Sequence, residues 1–259
     1  MKSLLLTITI CFSILTYAQE ERKVLDGVFI KETTPTRRVI PYTHVREADV
    51  TYYKRVWRKV VLKEKINHPL YYPVNPIKEI GYERISLFEI IKRGINEGTL
   101  TVYEDDEGMG SLQIPFSKSQ AVDKLVVEIQ EESIDLDTGE PTFTSIPVPV
   151  ESRNMVEYRI KEDWFFDKER SVMEVRIIAI QPVFEKASET GPKLDAPFWI
   201  YFPEARYLFA NHEVYNSAND GSRMTYEDLF RKRIFSGYIY KETNVYDNRM
   251  IDDYTDNID

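Results

Sequence analysis

The sequence is poor in the residue types that most enzyme chemistries need. Its single cysteine, Cys11, lies in an apolar run at the N-terminal end, so the rest of the chain has no disulfide and no thiol nucleophile. Glycine is scarce, 10 in 259 residues, and no phosphate-cradling loop, dinucleotide fingerprint or Gly-x-Ser-x-Gly elbow occurs. None of the three histidines, His44, His68 and His212, stands beside a second ligand at helical spacing, as a zinc site would want. A basic excess is missing too. The formal net charge of −9 argues against a general nucleic-acid binder, which needs a basic face to displace counterions. After residue 18 no stretch is long and apolar enough to cross a bilayer. No catalytic residue, cofactor or metal ligand is therefore expected.

What is present is the composition of an ordinary folded protein, with 13 prolines and 17 tyrosines, which favour extended segments and amphipathic surfaces. Lys2, the apolar run Leu4 to Leu15 and the small residue closing Thr16-Tyr-Ala18 read as a secretory signal peptide over residues 1–18, cleaved between Ala18 and Gln19. The run is shorter than the ~20 residues that span a bilayer. Ile10 precedes Cys11 where a lipoprotein site would want a small residue. The expected location is the periplasm.

Residues 19–45 read as an extended N-terminal arm. Val28, Ile30, Arg37, Arg38, Ile40 and Tyr42 supply apolar and basic contacts, while Pro35 and Pro41 discourage a central strand. The stretch is either a leader or an arm that orders only on a partner, and its Val, Ile and Phe content favours the arm.

Residues 46–246 read as an α+β body of antiparallel sheet with a few capped helices. Asp49 is expected to cap a helix through Trp57, with Tyr53, Trp57, Val60 and Val61 on one face and Lys54, Arg55, Arg58 and Lys59 on a basic one. Ser86 caps a second helix whose stripe is Leu87, Ile90, Ile91 and Ile95, stopped by Gly98 and followed by a strand through Tyr103. The same phrase recurs as Thr225, then Tyr226, Leu229, Phe230 and Ile234, Gly237 and Tyr238-Ile-Tyr240. Upstream of each lies an echo, Asn67-His-Pro-Leu-Tyr71 and Asn211-His-Glu-Val-Tyr215. Residues 57–103 and 199–240 are thus either an internal duplication or two uses of a common idiom. Between them, Asp167 to Arg170 should turn a hairpin into a central strand from Val172 to Ile180. Residues 247–259 read as an acidic, mobile tail.

Three weaker chemical signals remain. His68 and His212 occupy corresponding places and either share a metal or cap turns. Glu104-Asp-Asp-Glu-Gly108 is acidic but lacks the alternating ligands of a calcium loop. Glu204 and Arg206 flank an aromatic run, as an acid–base carboxylate or as partners in a buried ion pair.

Four ordered blocks carry a family likeness. They are Arg55-Val-Trp-Arg58 with Glu64-Lys-Ile-Asn67 and Pro69-Leu-Tyr-Tyr-Pro73; Glu162-Asp-Trp164 with Asp167-Lys168 and Val175-Arg-Ile-Ile-Ala-Ile180; Trp199-Ile-Tyr201 with Pro203-Glu-Ala-Arg206; and Asn219-Asp220 with Met224-Thr225, Asp228-Leu-Phe230 and Arg233-Ile-Phe235. Together they resemble the GldN/PorN gliding-motility family of Bacteroidetes over nearly the whole chain after the signal peptide. The resemblance implies a non-enzymatic structural component of the type IX secretion and gliding machinery. It implies self-association in a periplasmic ring at the inner face of the outer membrane. The implied partners are a GldK/PorK-like outer-membrane lipoprotein and the periplasmic part of a GldL/GldM-like motor. The alternative is an exported glycan-binding protein or carboxylate-based hydrolase using the aromatic cluster of Trp164 and Trp199 with Glu204.

Overall fold

The structure is a computed structural model that describes residues 28, 37–79, 82–106, 108–134, 141–186, 191–219 and 221–255. Contacts divide the chain into a small unit, Met1–Thr33 with Ile80–Tyr82, and a large one, Thr34–Glu79 with Glu83–Asp259. Of the small unit only Val28, which is exposed, and Tyr82 are described. The signal peptide, its cleavage point at Ala18 and Gln19, and Ile30 lie outside the described residues.

The large unit is built on one antiparallel sheet. Its strands are β1 (Val50–Val61), β4 (Val102–Tyr103), β7 (Met155–Asp167), β8 (Val172–Lys186), β9 (Lys193–Asp195), β10 (Trp199–Tyr201) and β13 (Tyr238–Glu242). The order is β13-β1-β7-β8-β10-β4, with β9 added to the end of β8. β7 and β8 form the expected long hairpin, closing with Asp167 opposite Val172, and β8 is interior as its apolar sequence requires. The remaining strands are short or lie apart: β2 (Ile77–Glu79), β3 (Tyr82–Arg84), the hairpin of β5 (Val126–Ile134) with β6 (Pro141–Pro149), and the pair β11 (Glu213–Val214) with β12 (Met224–Thr225). The helices are α1 (His68–Tyr71), α2 (Leu87–Glu97), α3 (Lys118–Asp123), α4 (Phe202–Phe209) and α5 (Tyr226–Arg231).

The expected helix from Asp49 to Trp57 is instead the long strand β1. Tyr53, Trp57, Val60 and Val61 fit a helical stripe, but they also fit a strand buried on both faces near its middle. Val60 joins the main core while Trp57 joins a second cluster with Ala179, Trp199 and Tyr240. Dense β-branched and aromatic residues favour the strand. The basic face dissolves accordingly. Arg55 grips its register partner Asp163 through two hydrogen bonds of 2.6 and 2.8 Å, Arg58 reaches Glu162, and Lys54 reaches Glu242 at 3.2 Å.

α2 forms as its sequence dictates. The Ser86 hydroxyl accepts from the Glu89 N–H, Leu87, Phe88, Ile90, Ile91 and Ile95 are buried, and Gly98 closes the helix at φ 79°. The second copy of the phrase diverges. α5 is capped by Thr225 with Asp228 but ends at Arg231, and Arg233 takes the left-handed conformation at φ 55°. Gly237 therefore does not stop a helix. It lets the backbone pass β1, since a Cβ there would stand 2.4 Å from the Lys59 carbonyl oxygen. The two strands that follow these helices, β4 and β13, occupy opposite ends of the sheet. The stretch expected to be a free tail returns to β13 as far as it is described: Met250 bridges Lys241, and Tyr254 packs on Tyr246 with ring centroids 5.6 Å apart.

The two clusters are covered differently. The main core lies under α2, α4 and α5. Over Trp57 and Trp199 runs the loop of residues 104–106 and 108–115, where Asp105 accepts from the Trp199 indole at 2.7 Å and from the Gln181 amide at 3.1 Å. The Met109 carbonyl accepts from the Trp57 indole and from Lys161 Nζ, and the Gly110 carbonyl accepts from Lys161 at 2.7 Å. Gly110 sits at φ 56°, and a Cβ there would meet Trp199 at 2.8 Å. The acidic turn is thus a strap over the sheet, its first aspartate spent on an indole and an amide.

Candidate functional site

The site expected from the sequence is the basic and apolar stretch ending at residue 45, and its described part, residues 37–45, lies along α4 and α5. Those helices are held together by Phe202, Phe209 and Phe230, whose rings pack with centroids 5.5 to 6.2 Å apart. At their junction Arg206, almost wholly buried, donates from Nη2 and Nε to the equally buried Glu227 at 2.6 and 3.2 Å. A second Nη2 bond of 2.6 Å goes to the Ile40 carbonyl. The Arg206 guanidinium also lies 4.2 Å from the centroid of the Tyr42 ring, with Arg176 at 5.0 Å from the same ring. Arg176 and Arg170 donate to the carbonyl and the hydroxyl of Thr43 at 2.8 and 3.4 Å. Farther back, the Arg37 N–H donates to Asn211 at 3.1 Å, and its guanidinium lies 3.4 Å from Asp228, the carboxylate that caps α5. Burial pushes the Tyr42 hydroxyl above the ordinary tyrosine range, with the Arg206 charge pulling against it.

The expectation that this stretch orders only against a partner therefore gives way for residues 37–43. They order on the chain's own body, because Glu227 takes only two N–H groups of the buried Arg206 guanidinium and the Ile40 carbonyl supplies an acceptor to a further one. Arg37 and Tyr42 are turned to the body, whereas Arg38 and Ile40 are exposed, Ile40 by 54%. A cavity of about 290 Å³ lies beside Tyr42, between this segment and the side chains of Phe202, Arg206 and Phe230.

The other chemical candidates fall into structural roles. Arg206 pairs with Glu227 and not with Glu204, which is exposed. Trp199 is fully buried under the strap and has no face for a sugar ring. Trp164 donates to Glu162, a wholly buried carboxylate that also receives Arg233 at 2.8 Å and Arg58 at 3.4 Å. The trio of Trp164, Trp199 and Glu204 thus forms no shared cleft. His68 stacks edge-on against Tyr72, while His212 Nδ1 lies 2.9 Å from the Leu208 carbonyl, and burial lowers its affinity for a proton. Asn67 and Asn211, which open the two echoes, both bind backbone. Asn67 exchanges hydrogen bonds with Ser236, and Asn211 donates to Tyr207. Among the described residues no three His, Cys, Asp or Glu side chains are grouped to hold a metal ion, and no helix is long and apolar enough to cross a membrane.

The described sheet, its strap and its helices coincide with a family unit. The model of the family described as "Gliding motility associated protein GldN" matches residues 45–259, from just before β1 to the last residue. The chain belongs to the GldN family. A search of the curated proteins gave no match. Within this GldN chain, the family unit starts next to the docked segment, so the Arg206–Glu227 pair lies inside it and the Ile40 carbonyl just outside.

Sequence reasoning missed Glu227, Arg176 and Asp105. Glu227 and Asp105 offered only a faint signal, an acidic residue among neighbours too apolar or too crowded to leave it in water; Arg176 offered none.

Proposed function

We propose that this GldN chain is a non-enzymatic structural subunit of the type IX secretion and gliding machinery, acting in the periplasm at the inner face of the outer membrane. It assembles into a ring with further copies of itself, a GldK/PorK-like lipoprotein and the periplasmic part of a GldL/GldM-like motor. The observation that carries this reading is the family match over residues 45–259. The site fits it: its buried charges are occupied with one another, and its outward side chains, Arg38 and Ile40, are of the kinds that set orientation and bury area against another protein.

The test is a titration of the lipoprotein with the chain lacking residues 1–18, at fixed ionic strength, against a form also lacking residues 24–45 and against an R38E/I40D form. The substituted form keeps Tyr42 and the Ile40 carbonyl on Arg206, so it separates a contact with the partner from a contact with the body. Much weaker binding by both forms is expected. Equal affinity for all three would remove the arm from the interface, and absence of the lipoprotein from a pull-down out of the native envelope would overturn the assembly itself.

A further inference from the structure

A second face has a cationic group that the fold leaves unmatched. Between α1 and the loop that follows β11 lies an open groove of about 780 Å³. Arg84 lines it with its guanidinium 5.2 Å from the centroid of the Tyr215 ring. Among the described residues no carboxylate comes within ion-pairing distance of Arg84, and its Nε is withdrawn from solvent without a hydrogen-bond acceptor. That contrasts with Arg55, Arg58, Arg93, Arg206 and Arg233, each of which has a carboxylate. A buried N–H left unmade is costly, so the site is poised to gain when an acceptor arrives.

The rest of the lining points to the chemistry of that acceptor. Among its described lining residues the groove carries Lys65 and His68 as further basic groups and no Asp or Glu, in a chain with 43 acidic and 34 basic residues. Ile66 and Tyr72 on its margin are each about half exposed, at 50% and 51%. A carboxylate would satisfy the guanidinium fork, and an apolar side chain beside it would cover the margin. An open groove of this volume with those two requirements suits an extended peptide.

We infer that this groove docks an extended segment of a partner protein that carries an acidic and an aliphatic side chain two residues apart, on one face of the extended chain, with the carboxylate on Arg84. It shares no lining residue with the cavity beside Tyr42, and the inference does not depend on the ring assembly.

Fluorescence anisotropy of the full chain with two labelled peptides tests it, one with Glu and Leu in turn at every second position and Ser between them, the other its Lys and Leu counterpart, together with competition of the Glu–Leu peptide by free glutarate. Saturable binding of the Glu–Leu peptide is expected, with none by the Lys–Leu peptide. Arg84→Gln should weaken it by about tenfold or more, the value of one charge-assisted contact. Tyr215→Ala should weaken it too, and both variants should keep the wild-type urea midpoint. Undiminished binding by Arg84→Gln, equal binding of the Lys–Leu peptide, or no saturable binding at all would overturn the inference. So would glutarate competing as tightly as the peptide, which would mark a small-carboxylate site.

Discussion

Replacing Arg206 with methionine keeps most of the side chain's volume and removes its charge, so the consequences can be apportioned. Glu227 would be left buried and unmatched, and breaking a buried pair from one side costs about 3–5 kcal/mol. The Ile40 carbonyl lies on an exposed residue and can turn to water, so its loss adds little to the global figure. Tyr42 loses one of its two flanking cations, worth ~0.5–1 kcal/mol. At about 2–4 °C per kcal/mol for a domain of this size, Arg206→Met should lower the thermal midpoint by roughly 7–24 °C. The double variant R206M/E227M removes both charges and should return to within about 1–2 kcal/mol of wild type, because an apolar pair of similar volume is often neutral. Tryptic cleavage after Arg37 and Arg38 gives a separate readout. It should be faster in the single and in the double variant, since neither retains the donor to Ile40. Urea unfolding with that proteolysis checks the scheme. A single variant that loses less than about 1 kcal/mol, or a double variant as unstable as the single one, would show that the pair is not what anchors this face.

Three further predictions concern other parts of the fold. Gly110→Ala should destabilise by about 1–3 kcal/mol and alter the emission of Trp199, since the new Cβ meets the indole and the backbone is left-handed there; an unchanged spectrum and midpoint would mean the strap can shift freely. Burial, with Arg55 nearby, pulls the Lys161 ammonium down to about 8 from 10.5, so between those pH values the unfolded chain holds the additional proton and stability should rise with pH. Tyr240, pushed up to about 12 by burial, acts oppositely as pH climbs from 10, so urea midpoints between about pH 7.5 and 9.5 isolate the lysine, and Lys161→Met should flatten the rise. A doubly substituted H68A/H212A chain that accumulates normally should still support secretion in cells; loss of secretion by a folded double variant would restore a chemical role for the histidines.

The sequence was legible where the deciding contacts are local. α2 could be read whole, because Ser86, its apolar stripe and Gly98 are one continuous signal. The β7–β8 hairpin was equally open, since Asp167 and Arg170 make their own turn. β1 was misread because two-sided burial destroys the alternation that marks a strand, leaving a spacing that a helix also satisfies. Gly237 misled for a different reason: its distance from Thr225 repeats that of Gly98 from Ser86, yet what it answers is the Lys59 carbonyl, some 180 residues away in the chain. The partners in pairs such as Arg206 with Glu227 or Arg55 with Asp163 could not be read, since the packing of two helices decides the first and the register of the assembled sheet the second.

The placement of β13 at the end of the sheet sets an order of events during synthesis. β1 is among the first strands to leave the ribosome, yet one neighbour, β7, begins at Met155 and the other, β13, begins at Tyr238. Until the last of these arrives, the outer edge of β1 offers unpaired backbone groups beside Val56 and Trp57, the sort of template on which chains aggregate. Pairing across such separations is also slow, because the intervening loop must close before any contact rewards it. A chain without β13 therefore holds a sheet with one ragged margin, and β1 needs shielding until the last strand to be made has reached it.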